Sequence, residues 1–469
     1  MVSSGGVFGE GPKEACGLVG AWAPGEDVSR LLFFGLYALQ HRGQESAGIA
    51  VSDGHDILVY RELGLVSQVF DERTLSTLPG DLGIGHTRYS TTGSTTWDNA
   101  QPTFKTDGTR GLALGHNGNL VNTEELLDRV GRRGPATTDS DLVAALLSRE
   151  PGDLEDAAVE VLPTLHGAFS FVLMDERTVY GARDPHGLRP LAIGRLGQGW
   201  ILASETAALD IVGAEYVREV EPGELVAIDE RGLRSIRFAD TPRHALCLFE
   251  FVYLARADSR LYGRTVHEAR REMGRRLARE APAPADLVIP VPDTGHSAAA
   301  GFAEESGIPY GEGLMKNRYV HRTFIEPTPA LRQRGVRLKL NPLAETVRGR
   351  RLAVVDDSIV RGTTTRQIVQ MLRDAGAREV HMRITSPPIR WPCYYGIDMS
   401  TSGELVAGTM TIPEVRDFIG ADTLAYLPLS ELVAATDAPA DAFCRACFDG
   451  QYPVAVPERA PSKGLLERE

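Results

Sequence analysis

Five cysteines occupy positions 16, 247, 393, 444 and 447. An odd number in a long chain without a secretory signal favours reduced thiols, catalytic or metal-bound, over a disulfide framework. Cys16 stands alone at the front, directly before the strand-like run "GLVGAW". Cys444 and Cys447 form "FCRAC", and with Cys247 and Cys393 they supply four soft ligands, which suit either zinc or an iron–sulfur cluster. Spacing does not choose between the two, because two of the four ligands are remote. A different chemistry is written in "RLAVVDDSIVRGTTTRQIV", where an apolar strand ends at Asp356-Asp357 and a helix opens after Gly362, Thr363, Thr364 and Thr365. Free N–H groups and partial positive charge at a helix N-terminus hold phosphate. Two carboxylates at the carboxyl end of a parallel strand are placed to bind sugar hydroxyls or a metal. A P-loop ATPase is excluded, since none of the lysines at 13, 105, 316, 339 and 463 follows a glycine.

These groups need elements to position them, and the chain changes rhythm midway. From Cys16 to Arg243 it is rich in short apolar or alternating segments ("GIAVSD", "HDILVYREL", "AFSFVLMD", "TVYGARD", "LAIGRLG", "WILASE"), separated by Gly, Asp and Asn turn signals. Helical patterns over 28–40 and 141–148 interrupt them, which predicts antiparallel sheets covered by helices in an α+β layered domain. Beyond that point, "ADLVIPVPDTG", "RGRRLAVVDDS" and "AREVHMRITSPP" carry short continuous apolar strands separated by helices, the rhythm of a parallel α/β sheet. After the second of these strands Ile368, Met371, Leu372 and Ala375 repeat with helical spacing, and Gly376 is a stop.

Composition narrows the class. At 469 residues two or more domains are expected, and 42% hydrophobic with 24% charged residues is a globular balance. The formal charge of −13 argues against general nucleic-acid binding. The longest apolar run, "LLFFGLYAL", falls far short of the about 20 residues that span a membrane and predicts a buried helix face. The prefix "MVSSGGVFGEGPKEA" fits neither a secretory nor an organellar signal. A cytoplasmic protein with no membrane partner is expected. Against the acidic background, residues 316–339 carry seven Lys/Arg and one acid, Glu326. Pro327 and Pro329 interrupt this basic island, which reads as a lid over a polyanionic substrate.

The Asp-Asp-to-Thr stretch resembles the signature of type I phosphoribosyltransferases, which bind phosphoribosyl pyrophosphate. The resemblance assigns Asp356 and Asp357 to the ribose hydroxyls and the magnesium complex, and Arg361, Gly362, Thr363 and Thr364 to the 5′-phosphate. "VIPVPDTGHSAAAGFA" looks like the pyrophosphate loop, with Asp293, Thr294 and Gly295 at its tip, Thr294 joining the Mg²⁺ site and Lys316 nearby on the substrate. In the first half "CGLVGAW", "LQHRGQESAGIA", "GHTRYSTTG", "LALGHNGNLVN" and "TTDSD" together resemble the glutaminase domain of the N-terminal-nucleophile amidotransferases. That likeness makes Cys16 the nucleophile, with Asn117 (side chain) and Gly118 (N–H) as the oxyanion hole. Arg88 would take the glutamine α-carboxylate and Asp139 its α-amino group. "HNGN" is also a hairpin-turn sequence, and a tight Asn-Gly turn supplies two donors. A thiol of pKa about 8.5 needs a base, and an α-amino group of pKa about 8 is one. Removal of residues 1–15 as a propeptide would put both on Cys16.

The two halves together resemble the amidophosphoribosyltransferase family, in its branch with a propeptide and a four-cysteine [4Fe–4S] cluster. The resemblance implies an αββα N-terminal-nucleophile glutaminase domain over 16–243, an α/β phosphoribosyltransferase domain over 244–455 and a flexible tail over 456–469. It also implies Mg²⁺, a homotetramer and inhibition by purine nucleotides. One departure is Ala257, where a proline is expected before "DS". A phosphoribosyl-pyrophosphate-sensing regulator with an inactive glutaminase half is the alternative from another class, and zinc is the alternative to the cluster.

Overall fold

The computed structural model describes residues 15–89, 94–106, 110–131, 137–240, 242–317, 339–397, 399 and 402–457. In the first half two sheets stack. One has seven strands in the spatial order Glu215–Glu219, Ala192–Leu196, Gly199–Ala203, Gly17–Trp22, Leu82–Arg88, Ser46–Ser52 and Ile57–Leu63. The other has six, in the order Gly232–Arg237, Glu224–Asp229, Val179–Arg183, Gly167–Met174, Gly111–Leu120 and Thr103–Thr106. Neighbours in both are antiparallel. Leu18, Ala50 and Ile84 of one sheet meet Ala113, Val172 and Val226 of the other in a dry central layer. Helix Val28–Ala38 covers the outer face of the first sheet through Val28, Leu32 and Leu36. Helices Asp139–Arg149 and Leu154–Val161 cover the second. The alternating strands predicted antiparallel sheets covered by helices, and the result is the αββα sandwich that the amidotransferase resemblance implied. Only one side of Val28–Ala38 is buried, and Phe34 and Tyr37 of the apolar run face outwards.

The second half holds a four-stranded parallel sheet, Leu287–Pro290, Arg351–Asp356, Glu379–Ile384 and Thr423–Tyr426. Continuous apolar strands are what a sheet buried on both faces requires. Helices Val266–Glu280 and Gly295–Ser306 cover one face, with Met273, Leu277 and Phe302 in the shared core. Helices Thr363–Asp374 and Ile412–Ile419 cover the other. The predicted helix face appears as buried Ile368, Met371 and Leu372, with Gly376 at positive φ just beyond.

The halves are joined by a chain of alternating buried charges. Arg42 pairs with both Glu205 and Glu250, Glu250 also faces Arg189 at 3.4 Å, and Glu205 accepts from His41 at 2.7 Å. Removing any one member would leave a buried charge without its partner, the situation that costs most in a low-dielectric interior.

Candidate active sites

Cys16 precedes the central strand Gly17–Trp22, whose register sets Gly17 opposite Thr87. Its thiol is buried and lies 3.4 Å from both the carbonyl and the N–H of Tyr89. Burial pushes this thiol up to about 11, against the lowering effects of the Tyr89 contact and the Arg88 charge. At neutral pH the thiol is therefore protonated, and attack needs a nearby base. Cys16 shares a pocket of about 240 Å³ of empty space with Arg88, Gln101, His116, Gly118 and Asp139. So four of the five residues expected at the glutaminase site line one cavity.

The fifth, Asn117, lies next to Gly118 and is fully buried. Among the described residues, neither its Oδ1 nor its Nδ2 has a hydrogen-bond partner. An amide in that position retains the full desolvation cost until something enters to meet it. Asn117-Gly118 is not the hairpin turn expected from "HNGN". Both residues lie inside the continuous strand Gly111–Leu120, with Asn117 opposite Ser170 and Gly118 opposite Phe169. The partner strand Gly167–Met174 runs past them and overrides the local turn preference. Gly118 adopts φ +149°, and a Cβ there would lie 2.1 Å from the Ala168 carbonyl oxygen, so only glycine fits.

Asp139 opens the helix Asp139–Arg149, which Thr138 caps by accepting from the Asp141 N–H at 3.2 Å. Burial works to raise the Asp139 carboxyl, but His116 and the N–H groups of Leu120 and Ser140 hold it below the usual range. It therefore stays ionised and available to a cation. Arg88 reaches the Ser94 carbonyl at 3.2 Å and Glu45 at 4.0 Å. Sequence reasoning missed the scaffold behind these groups. Gln101 accepts from the His116 N–H at 2.8 Å and donates to Ser140 at 3.0 Å, and His116 Nδ1 lies 3.2 Å from Ser140 Oγ. Only His116, in "HNGN", carried a signal; nothing in the sequence marks Gln101.

At the carboxyl end of the parallel sheet, Asp356 and Asp357 are both buried. Burial and the neighbouring Asp357 charge push the Asp356 carboxyl well above its usual range. Burial also raises Asp357, opposed by hydrogen bonds from Ser358 and Thr294 and by the Arg270 charge. Thr294 Oγ1 donates to Asp357, and Lys316 pairs with Asp293. The loop 293–295 and the acidic pair thus meet, as their assignment to one ligand requires. Gly362 caps the helix Thr363–Asp374 in the left-handed region, and the buried Thr363 hydroxyl has no partner among the described residues. Arg361 is held by Glu404 at 2.7 Å. Thr364 opens the same helix. Most of the basic island, residues 318–338, lies outside the described residues, as do 1–14 of the expected propeptide and 458–469 of the expected tail.

The four remaining cysteines line one cavity, together with Leu188, Arg189 and Tyr395. Cys247 and Cys444 are register partners in a short parallel pair of strands, Leu246–Cys247 and Phe443–Cys444. Burial pushes the Cys247 thiol up to about 12 and raises Cys444 and Cys447, with the other thiols adding to each rise. Three thiols held towards their protonated forms, with Cys393 on the same cavity, are a donor set suited to a cation that ionises them. Among the described residues, no three His, Cys, Asp or Glu side chains are already drawn together tightly enough to hold a metal ion.

Comparison with known proteins fixes the family. A glutamine amidotransferase domain matches residues 86–210. Amidophosphoribosyltransferase of Mycobacterium tuberculosis is 59% identical, over 97% of this chain and 90% of that protein. The chain belongs to the amidophosphoribosyltransferase family. The family's Synechococcus elongatus member is 51% identical over 97% of this chain and 95% of its own length. Among solved structures, glutamine phosphoribosylpyrophosphate amidotransferase from Bacillus subtilis, in complex with ADP and GMP, superposes with TM-score 0.90 at 45% identity. That match covers 95% of this chain and 99% of the other. Such amidophosphoribosyltransferase likeness over both halves accounts for an αββα glutaminase fold followed by a phosphoribosyltransferase fold.

Proposed function

We propose that this chain is a glutamine-dependent amidophosphoribosyltransferase, catalysing the first step of purine biosynthesis. One observation carries the reading: a single chain pairs the Cys16 pocket with the Asp356–Asp357 cradle, and it resembles amidophosphoribosyltransferases through both. The domains run 16–243 and 244–455, after a propeptide over 1–15 and before a tail from 456.

Arg88 binds the α-carboxylate of glutamine and the ionised Asp139 its α-ammonium. Cys16 Sγ attacks the side-chain amide carbon, its proton passing to the α-amino group freed by loss of residues 1–15. Negative charge develops on the amide oxygen, where the Asn117 Nδ2 and the Gly118 N–H meet it. The C–N bond breaks, the proton goes to the leaving ammonia, and water releases glutamate from the thioester. Ammonia then attacks C1 of phosphoribosyl pyrophosphate, and the C1–O bond breaks with its electron pair leaving on pyrophosphate. Asp356 and Asp357 hold the ribose hydroxyls, Arg361 to Thr364 the 5′-phosphate, and Asp293 to Gly295 with Lys316 the pyrophosphate.

Thr294, Asp356 and Asp357 would hold Mg²⁺, which when bound neutralises charge on the departing pyrophosphate. Cys247, Cys393, Cys444 and Cys447 would hold a [4Fe–4S] cluster that ties the domain junction to the C-terminal segment. The match to the iron–sulfur branch of the family at all five cysteines, with four of them on one cavity, favours this cluster over zinc. No helix among the described residues is long and apolar enough to cross a membrane, in keeping with a cytoplasmic enzyme. A homotetramer inhibited by purine nucleotides completes the reading, in line with the ADP and GMP of the Bacillus structure. The test is to supply glutamine, phosphoribosyl pyrophosphate and Mg²⁺ and to measure glutamate and pyrophosphate in equal amounts. A sensor with a dead glutaminase half would form no pyrophosphate.

A further inference from the structure

The peptide that follows Cys393 still lines the cysteine cavity at Tyr395 and Ile397, and it also lies against the strand that carries Asn117 and Gly118. Gly396 stands at φ +100°, and a Cβ on it would lie 2.9 Å from the Gly118 carbonyl carbon and 3.1 Å from the Gly118 Cα. The neighbouring Asn119 donates from Nδ2 to the Tyr394 carbonyl at 3.0 Å. The Tyr395 carbonyl accepts from Arg189 Nε at 3.1 Å and Nη2 at 2.7 Å. The Tyr395 N–H points at Cys393 Sγ, 3.4 Å away. Gly118 is thus pressed between the Ala168 carbonyl of its own sheet and Gly396 of the other half of the chain.

We propose that Tyr394 and Gly396 are positioning residues for the glutaminase, supplied across the domain junction: they fix the peptide on the carboxyl side of Gly118 and so, through its Cα, the aim of its N–H. This rests on reading Asn117 and Gly118 as the oxyanion hole. An oxyanion donor acts only when it stands at hydrogen-bond distance from the developing charge, so a small displacement removes much of its effect. A gap between Gly118 and Gly396 would release a glycine that has no side chain of its own to hold it. Glutamine hydrolysis therefore depends on a segment of the phosphoribosyltransferase half that never touches glutamine.

Two variants test this. Gly396→Ala forces the segment off Gly118, and Asn119→Ala removes the hydrogen bond to Tyr394 while needing no extra room. Each is assayed with glutamine and, separately, with ammonium chloride, which bypasses the glutaminase. Each is also titrated with glutamate and with L-glutamate γ-semialdehyde. The Cys16 thiol adds across that aldehyde: the S–C bond forms, the C=O π bond opens, the thiol proton passes by way of the α-amino group to the former carbonyl oxygen, and that oxygen stands where the oxyanion forms. The expected result is a fall in glutamine kcat of about 10-fold or more, with KM within about twofold. Aldehyde affinity should drop by a similar factor, while glutamate affinity and the ammonia-dependent rate stay within about twofold. Asn117→Ala is the control. If it lowers kcat while both variants behave as the parent, the positioning role is wrong and the oxyanion assignment stands. If it does not, the assignment itself is wrong. An equal fall in the glutamine and ammonia rates would reduce the contact to general domain packing and also overturn the proposal.

Discussion

At the Cys16 pocket the unmet group is neutral: the Asn117 amide, buried with neither end hydrogen-bonded among the described residues. At the Asp356–Asp357 loop it is charge, two adjacent buried carboxylates with burial and mutual repulsion pushing Asp356 up. The oxyanion residues expected at the first centre lie inside an antiparallel strand, held by the partner strand Gly167–Met174. The second stands at the strand ends of a parallel sheet, where loops converge. Both store instability that a ligand relieves, but in different forms. On the proposed roles, one waits for a charge that exists only during the reaction, the other for a cation that arrives with the substrate. Active sites differ from the rest of a fold in keeping such costs in place.

The largest effect that would sharpen this contrast comes from Cys16→Ala. Pyrophosphate release supported by glutamine should fall at least about 10³-fold, while release supported by ammonium ions stays within about twofold. If both collapsed, the two centres would not be separable. Asn117→Ala should lower glutamine kcat by about 10²- to 10³-fold with little change in KM. Asp356→Asn works on the other side of the comparison. It should cut activity with either nitrogen source by about 10-fold or more, yet raise the melting temperature of the ligand-free protein by about 2 °C, because the buried repulsion is gone. A lower melting temperature would mean the carboxylate is structurally satisfied.

The smallest effect is in pH. Asp356 and Asp357 titrate above the usual carboxylate range, and Asp139 below it. As pH falls, the acidic pair takes up protons first, so KM for phosphoribosyl pyrophosphate should climb while KM for glutamine is still flat. For the raised pair the folded state holds more protons than the unfolded one. Its contribution to ligand-free stability therefore increases as pH falls from the raised value towards about 3.9. The depressed Asp139 contributes in the opposite sense, losing stability only as pH falls through its lowered value. Parallel rise of both KM values on acidification would break the distinction.

The sequence was most readable where chemistry and local pattern coincide. An apolar strand, two acids, a glycine and a run of threonines lie within one stretch, and the structure keeps that order as strand, loop and helix. Cys16 was readable because a strand begins beside it. Less was legible where tertiary neighbours decide. The central strand Leu82–Arg88 carries Gly83 and Gly85, poor strand formers that are needed because Ala50 and Leu36 come within 2.6 and 2.8 Å of where a Cβ would stand. "HNGN" reads as a turn until the strand Gly167–Met174 is paired beside it. Gln101 acts only through His116 and Ser140, and no local pattern records that. The grouping of four cysteines in one cavity came from the chain's return at Phe443–Cys444 to lie beside Leu246–Cys247, a long-range pairing with no periodic trace.

The buried ladder of Arg42, Glu205, Glu250 and Arg189 bears on how such a protein could be rebuilt by recombination. Three of its four members, two basic and one acidic, precede residue 244, and only Glu250 follows it. A chimaera grafting this amino-terminal portion onto a foreign carboxyl-terminal portion inherits one surplus buried cation unless the newcomer brings an acid to that spot. Exchange of modules at this seam is therefore constrained by electroneutrality before any question of catalysis arises.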